Sequence, residues 1–180
     1  MDRIQFTDHS KIENRNDNLR KVSQWGTTKW ATMQRTFFGC HNLDITATDI
    51  PDLTKCNSLK STFYFCQNLI YNNTIKNWDV SNIKDMSNMF TKAAKFNQNI
   101  NDWMVSNVED MSFMFCYASV FNQPLNKWDV SQVRNMNTMF YSAKMFNQNI
   151  SNWNVRNVTE WDKIFYDSRM KKSYKPSKFR

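Results

Sequence analysis

Glycine and proline are almost missing from this chain of 180 residues, which has 2 of the first and 3 of the second. A collagen-like or glycine-rich fibre and a low-complexity linker are thereby excluded. Histidine is equally scarce, with His9 and His41 the only two. No pair of cysteines is spaced Cys-x-x-Cys, so the clusters that hold zinc are missing, and no metal or other cofactor is expected. A nucleophile paired with a base would need a histidine inside the repeats described below, and only His41 is near them. The chain is therefore expected to be non-enzymatic and to have no small-molecule substrate. Apolar runs never exceed a few residues, too short for a transmembrane helix, and no membrane insertion is expected. Residues 1–21 are polar and charged with no apolar centre, unlike a signal peptide. Either the protein stays where it is made, or a leader has been removed.

What is present is concentrated. Hydrophobic residues make up 41% and aromatics 15%, enough for a continuous core. The net charge is +8, but residues 169–180 alone contribute +6, from Arg169, Lys171, Lys172, Lys175, Lys178 and Arg180. The stretch 78–168 is close to neutral, so the basicity sits at the ends. Four cysteines, Cys40, Cys56, Cys66 and Cys116, read as small buried hydrophobes with reduced thiols. Whether Cys40 and Cys66 are bridged stays open at this stage.

Written in lines of 25, the residues from 78 onward stack on themselves. Trp78, Trp103, Trp128 and Trp153 form one column, and Val80, Val105, Val130 and Val155 the next. Phe90, Phe115, Phe140 and Phe165 form another, and Ala93, Ala118 and Ala143 a column of small residues. Asn97, Asn122 and Asn147 each follow a phenylalanine and precede a glutamine. So many aligned columns identify a repeat protein. Two degenerate copies precede the clear ones, the second reaching Trp78 with two extra residues within 71–74. Within a copy, Ile83, Met86, Met89, Phe90 and Ala93 are spaced like one face of a helix, which predicts two helical turns over 87–94 with Asp85 at their start. Residues 96–100 then read as a short extended segment. The expected fold is an α/β repeat: a solenoid of about six coils, each a short parallel strand plus a short helix or turn. Residues 1–24 would be an arm or cap, 25–168 the solenoid with coils starting near 25, 51, 78, 103, 128 and 153, and 169–180 a basic tail.

The line Trp-Asp-Val-Ser-Asn-Ile-x-Asp-Met-Ser-Asn-Met-Phe at 78–90, followed by Phe-Asn-Gln-Asn-Ile at 96–100, closely resembles the BspA-like leucine-rich repeat family, in its 25-residue branch found in mycoplasma lipoproteins. The resemblance covers about residues 25–168. It implies a leucine-rich-repeat-like solenoid and roles in adhesion, protein–protein contact or structure, with no catalytic residue in the motif. Members are mostly bacterial surface proteins, and some occur in large DNA viruses and protists. Without a recognisable leader, an intracellular or virion location is favoured here, and a cell surface if a leader was removed. The protein would then be a structural or interaction component, such as a minor part of a virion or other repetitive assembly or capsid.

Three sets of residues are candidates for function. The columns Phe90, Phe115, Phe140, Phe165 and Trp78, Trp103, Trp128, Trp153 are read as core. Asn97, Asn122 and Asn147 are either a recognition face or amide ladders that satisfy the backbone between repeats. In the tail, Arg169, Lys171, Lys172, Tyr174, Lys175, Lys178, Phe179 and Arg180 carry cations and aromatic anchors together. They could bind a protein partner as a flexible arm that the core does not require. They could also bind nucleic acid through phosphates and stacking, the alternative function, or merely keep the protein soluble.

Overall fold

The computed structural model describes residues 19–71 and 74–180. Most of the expected N-terminal arm, and residues 72 and 73 of the expected insertion, lie outside them.

The fold follows from how the backbone uses its N–H groups in the stretch that reads as a helix. An α-helix spends every N–H on the carbonyl four residues back. Over 86–93 the donors are instead divided. The N–H groups of Met89, Thr91 and Ala93 donate to the carbonyls of Met86, Asn88 and Phe90, three residues back, at 3.2, 3.2 and 3.0 Å. Those of Met86, Asn88, Phe90 and Lys92 donate to Asp110, Ser112, Met114 and Cys116 of the following repeat, at 2.9, 2.8, 2.9 and 2.7 Å. The peptide unit that carries the Met86 N–H also carries the Asp85 carbonyl, which accepts from Leu59 of the preceding repeat at 2.9 Å. Every second peptide plane therefore stands along the stacking direction, and the planes between close tight turns. The same alternation links 33–40 to 59–66, that segment to 86–93, and so on through 111–118 and 136–143 to 161–168.

A flat ribbon of turns needs left-handed backbone at every fourth residue. Asn88 and Lys92 have φ of 61° and 58°, and Ser61 and Phe65, Phe113 and Tyr117, Thr138 and Ser142, and Lys163 and Asp167 repeat the pair. In the first ribbon the pair is Arg35 and Gly39, and at no other of these ribbon positions does glycine relieve the strain of positive φ.

These facts overturn the α/β solenoid of about six coils, each with a strand and a helix. Among the described residues there is no α-helix. Regular strand among them is confined to three two-residue pieces, β1 (Lys21–Val22), β2 (Asp44–Ile45) and β3 (Ile70–Tyr71), in one parallel sheet of order β1-β2-β3. The register pairs Lys21 with Asp44 and Asp44 with Ile70. Residues 96–100, expected to be extended, form no strand. The physical reason is that the N–H groups a helix would use locally are committed to the next repeat.

Polar side chains set where each ribbon starts. Asp85, Asp110 and Asn135 stand in one column of isolated parallel bridges. Each accepts on its side-chain Oδ1 from the N–H two residues on, in Ser87, Ser112 and Asn137, at 2.8, 2.7 and 2.9 Å. They cap a turn ribbon as they would have capped a helix.

The core is a set of aromatic columns. Successive rings of Phe37, Phe63, Phe90, Phe115, Phe140 and Phe165 stack at 5.4, 5.7, 5.7, 5.5 and 5.8 Å between centroids. Phe96, Phe121 and Phe146 form a second column, and each lies flat against its own repeat's Phe90, Phe115 or Phe140 at 3.9 to 4.1 Å. The indole Nε1 of Trp103, Trp128 and Trp153 donates to the carbonyl of Ile75, Ile100 and Leu125 at 2.9, 3.0 and 2.9 Å. The tryptophan column thus locks repeats together from inside. No helix among the described residues is long and apolar enough to cross a membrane.

Phe115 has rings on both stacking sides and a third in its own repeat, whereas Phe165 has repeat neighbours on one side only. Phe115→Ala is expected to cost about 3–5 kcal/mol and Phe165→Ala clearly less. Chemical denaturation of the two variants checks this, and equal losses would contradict a core continuous through the middle repeats.

Candidate functional site

The asparagine column is an amide ladder. The N–H of Asn122 donates to Asn97 Oδ1, and that of Asn147 to Asn122 Oδ1, each at 2.9 Å. Gln148 Nε2 adds bonds to the carbonyl and Oδ1 of Asn122. The side chains fill acceptor positions that a strand would have supplied from its backbone, which is why 96–100 can repeat without being a strand.

The ladder does not stop at Asn147. The N–H of Lys171 donates to Asn147 Oδ1 at 3.1 Å, and the N–H of Ile150 donates to the carbonyl of Tyr174 at 3.1 Å. The tail has no repeat residues, yet it occupies the place beside 146–150 that a further repeat would take. From there two short 3-10 turns, Lys172–Tyr174 and Ser177–Phe179, carry it back across the end of the core. Met170, Pro176 and Phe179 are buried. The Phe179 ring meets Phe165 edge-on at 6.3 Å and lies against Trp161 at 6.0 Å. Lys175 Nζ sits over the Phe165 ring and Lys178 Nζ over that of Trp161, at 5.0 and 4.8 Å. Lys178 also donates to the carbonyls of Val158 and Arg156 at 2.6 and 3.3 Å. The segment expected to be an arm that the core does not need is instead a cap built into the fold. Tyr174 is half-buried under Lys171, and Arg169, Lys171, Lys172 and Arg180 remain exposed.

A surface that the repeat columns did not reveal lies on the outer side of the ribbons. Phe113, Tyr117 and Tyr166 are 39%, 46% and 59% exposed. Tyr141 lies between the two other tyrosines, 5.4 Å from Tyr117 and 5.0 Å from Tyr166, stacked on the latter. Desolvation, then the neighbouring Tyr117, pushes the Tyr141 phenol up from its ordinary value. The signal was present in the sequence only as four aromatics outside the apolar columns. Asp167 closes one end of this strip, accepting from Ser142 Oγ at 2.8 Å and from Lys144 Nζ. Those two donors hold its carboxyl below the ordinary value.

The remaining chemistry is quiet. All four cysteines are free and buried, so Cys40 and Cys66 are not bridged. Burial pushes the Cys66 thiol well up, and that of Cys116 up to about 11. The Cys66 thiol donates to the Phe37 carbonyl at 3.0 Å. Among the described residues no cluster of three His, Cys, Asp or Glu side chains could hold a metal ion. A shallow cleft over Pro124, Asn126, Gln148 and Asn152 is lined by amides.

Because the tail closes the core, Phe179→Ala is expected to cost about 2–3 kcal/mol, near the low end for a buried phenylalanine at an edge. In a chain of this size that lowers the melting temperature by about 4–12 °C. A thermal melt unchanged within a degree would return the tail to the status of a loose arm.

No curated protein and no solved structure matches the chain. Residues 57–178, about two thirds of the sequence, match a family described as "Mycoplasma protein of unknown function, DUF285". The matched range takes in the cap as far as Lys178 and leaves out Phe179 and Arg180. The chain belongs to the DUF285 family.

Proposed function

We propose that this protein is a non-enzymatic structural or protein-interaction module that binds a protein partner through its outer aromatic strip. The observation that carries the proposal is the exposure of Phe113, Tyr117 and Tyr166 on a backbone held by inter-repeat hydrogen bonds. Tyrosine offers large contact area at little entropic cost when its backbone is fixed, and such rings are enriched where proteins bind each other. The resemblance of 78–90 to BspA-like repeats supports the same reading, since that family is associated with adhesion, protein contact and structure. A repetitive partner, such as a capsid or other assembly inside a cell or a viral particle, suits a backbone whose later ribbons recur every 25 residues. A cell surface is the second setting. No catalytic step, cofactor or small-molecule substrate is part of the proposal.

One observation favours a second reading. Arg169, Lys171, Lys172 and Arg180 are exposed, and none is paired with a carboxylate among the described residues. Four such cations could engage the phosphates of a nucleic acid.

Capture of partners from the native source, with the wild-type chain and a Tyr117→Ala, Tyr141→Ala, Tyr166→Ala variant, separates the two. Loss of the captured protein by the variant, at least about tenfold, with binding nearly unchanged from 50 to 200 mM salt, is the expected outcome. Retention by the variant, together with an affinity that falls about a hundredfold over that salt range, would instead assign binding to tail–phosphate contacts.

A further inference from the structure

In the turn that leads into each ribbon, one column of residues alternates in sign. Lys84, Glu109 and Arg134 stand 25 residues apart, and Thr159 holds the next place. The backbone keeps the column in register. The N–H of Glu109 donates to the Lys84 carbonyl, that of Arg134 to Glu109 and that of Thr159 to Arg134, at 2.8, 2.9 and 2.8 Å. Lys84 Nζ lies 3.7 Å from Glu109 Oε1. The alternation then breaks, because threonine stands where an acid would have answered Arg134. A second break lies beside the first. Ser81, Ser106 and Ser131 form a column whose last member is Arg156.

The two breaks gather charge of one sign. Gln132, Arg134, Arg156, Asn157 and Thr159 line one open cleft of about 360 Å³, within the size range of small-ligand sites. No carboxylate lines it, and none pairs with Arg134 or Arg156 among the described residues. One repeat earlier, the cleft over Lys84, Asn107, Glu109 and Arg134 contains its own counter-charge. Glu160 follows Thr159 in the chain, but its Oε2 accepts from Asn137 Nδ2 at 3.1 Å. The walls are fixed. The Thr159 hydroxyl donates to the Arg134 carbonyl at 3.3 Å, and Asn157 Nδ2 donates to that of Ser131 at 2.7 Å. The cap adds a third cation at this edge, since Lys178 Nζ donates to the Arg156 carbonyl at 3.3 Å.

We propose that this cleft binds a doubly charged tetrahedral oxyanion, a phosphate that is free or a monoester, between Arg134 and Arg156. A guanidinium presents paired N–H donors that match two phosphate oxygens. Two of them balance the charge of about −1.5 to −2 that a phosphate monoester carries at neutral pH. A phosphodiester has a single charge and two esterified oxygens, so the backbone of a nucleic acid fits less well. The cleft shares no residue with the aromatic strip or with the exposed cations of the cap, so this proposal and the functional readings above can fail separately.

Titration of the purified chain with inorganic phosphate, glycerol 3-phosphate and dimethyl phosphate, followed by amide NMR shifts, is the experiment. The first two should saturate, with shifts centred on residues 132–134 and 156–159. Dimethyl phosphate should bind at least about tenfold more weakly. Glycerol 3-phosphate should bind more tightly as the pH rises through about 6, where its second proton is lost. Arg156→Ser, which restores the residue of its column, and Arg134→Gln should each weaken phosphate binding at least about tenfold. Lys172→Gln removes the same charge from the exposed side of the cap, and at about 0.15 M ionic strength it should change the affinity by less than about twofold. No shift with phosphate at about 10 mM overturns the proposal. So do shifts spread over the surface or centred on 169–180, equal losses in all three variants, or equal binding of dimethyl phosphate. The spectrum of each variant shows whether it is folded, and where one is not, the other variant and the place of the wild-type shifts decide.

Discussion

A backbone N–H can be donated once, and the architecture of this protein follows from where alternate ones are sent. Sending half of them to the next repeat forbids a helix and imposes a ribbon of tight turns. The ribbon in turn fixes a common height for successive repeats, at which phenylalanine rings meet at 5.4 to 5.8 Å. It also sets the tryptophan indoles within reach of carbonyls 28 residues back. The aromatic columns supply the apolar burial, but their order is inherited from the peptide ladder. Stacked rings contribute about 0.5–1.5 kcal/mol per pair beyond their burial, so the ladder and the columns reinforce each other repeat by repeat.

The cost of this arrangement is local and visible. Eleven non-glycine residues among those described have positive φ, among them Phe65, Phe113 and Tyr117. Each such residue is strained by about 1–3 kcal/mol, together on the order of the whole net stability of a domain. No repeat could sustain its own pair of left-handed residues in isolation. The neighbours on both sides hold them, and at the end where no neighbour exists Met170, Pro176 and Phe179 stand in. That is why a segment with no repeat residues proves to be structural.

The columns were legible in the sequence because burial repeats every 25 residues whatever the backbone does between. Phe90, Phe115 and Phe140 stack as their alignment indicated, and Asn97, Asn122 and Asn147 form the ladder that was one of two readings. The helix was misread for a specific reason. Apolar residues at 86, 89, 90 and 93 point inward from a helix and from this ribbon alike, and spacing alone does not tell them apart. Turn chemistry would have, but glycine stands at only one of the left-handed ribbon positions, Gly39. The cap escaped because Lys and Arg dominate its composition, while the three buried residues among them carry the contact. The exposed tyrosines lie outside the apolar pattern by definition, so the columns carry no sign of them.

Division of the N–H groups by turns gives each ribbon a parity. Inserting one residue inside it would reverse which peptide planes point along the stack, and every bond beyond the insertion would meet the wrong partner. Between ribbons no such rule applies. The left-handed residue that opens each ribbon recurs after 26 residues from Arg35 to Ser61, after 27 from Ser61 to Asn88, and after 25 thereafter, while the four-residue step from Ser61 to Phe65 or Asn88 to Lys92 never changes. The chain thus keeps a fixed word and a variable pause. Duplication or slippage of its coding sequence can lengthen the molecule by whole words or alter the pauses, but it cannot edit a word by a single letter.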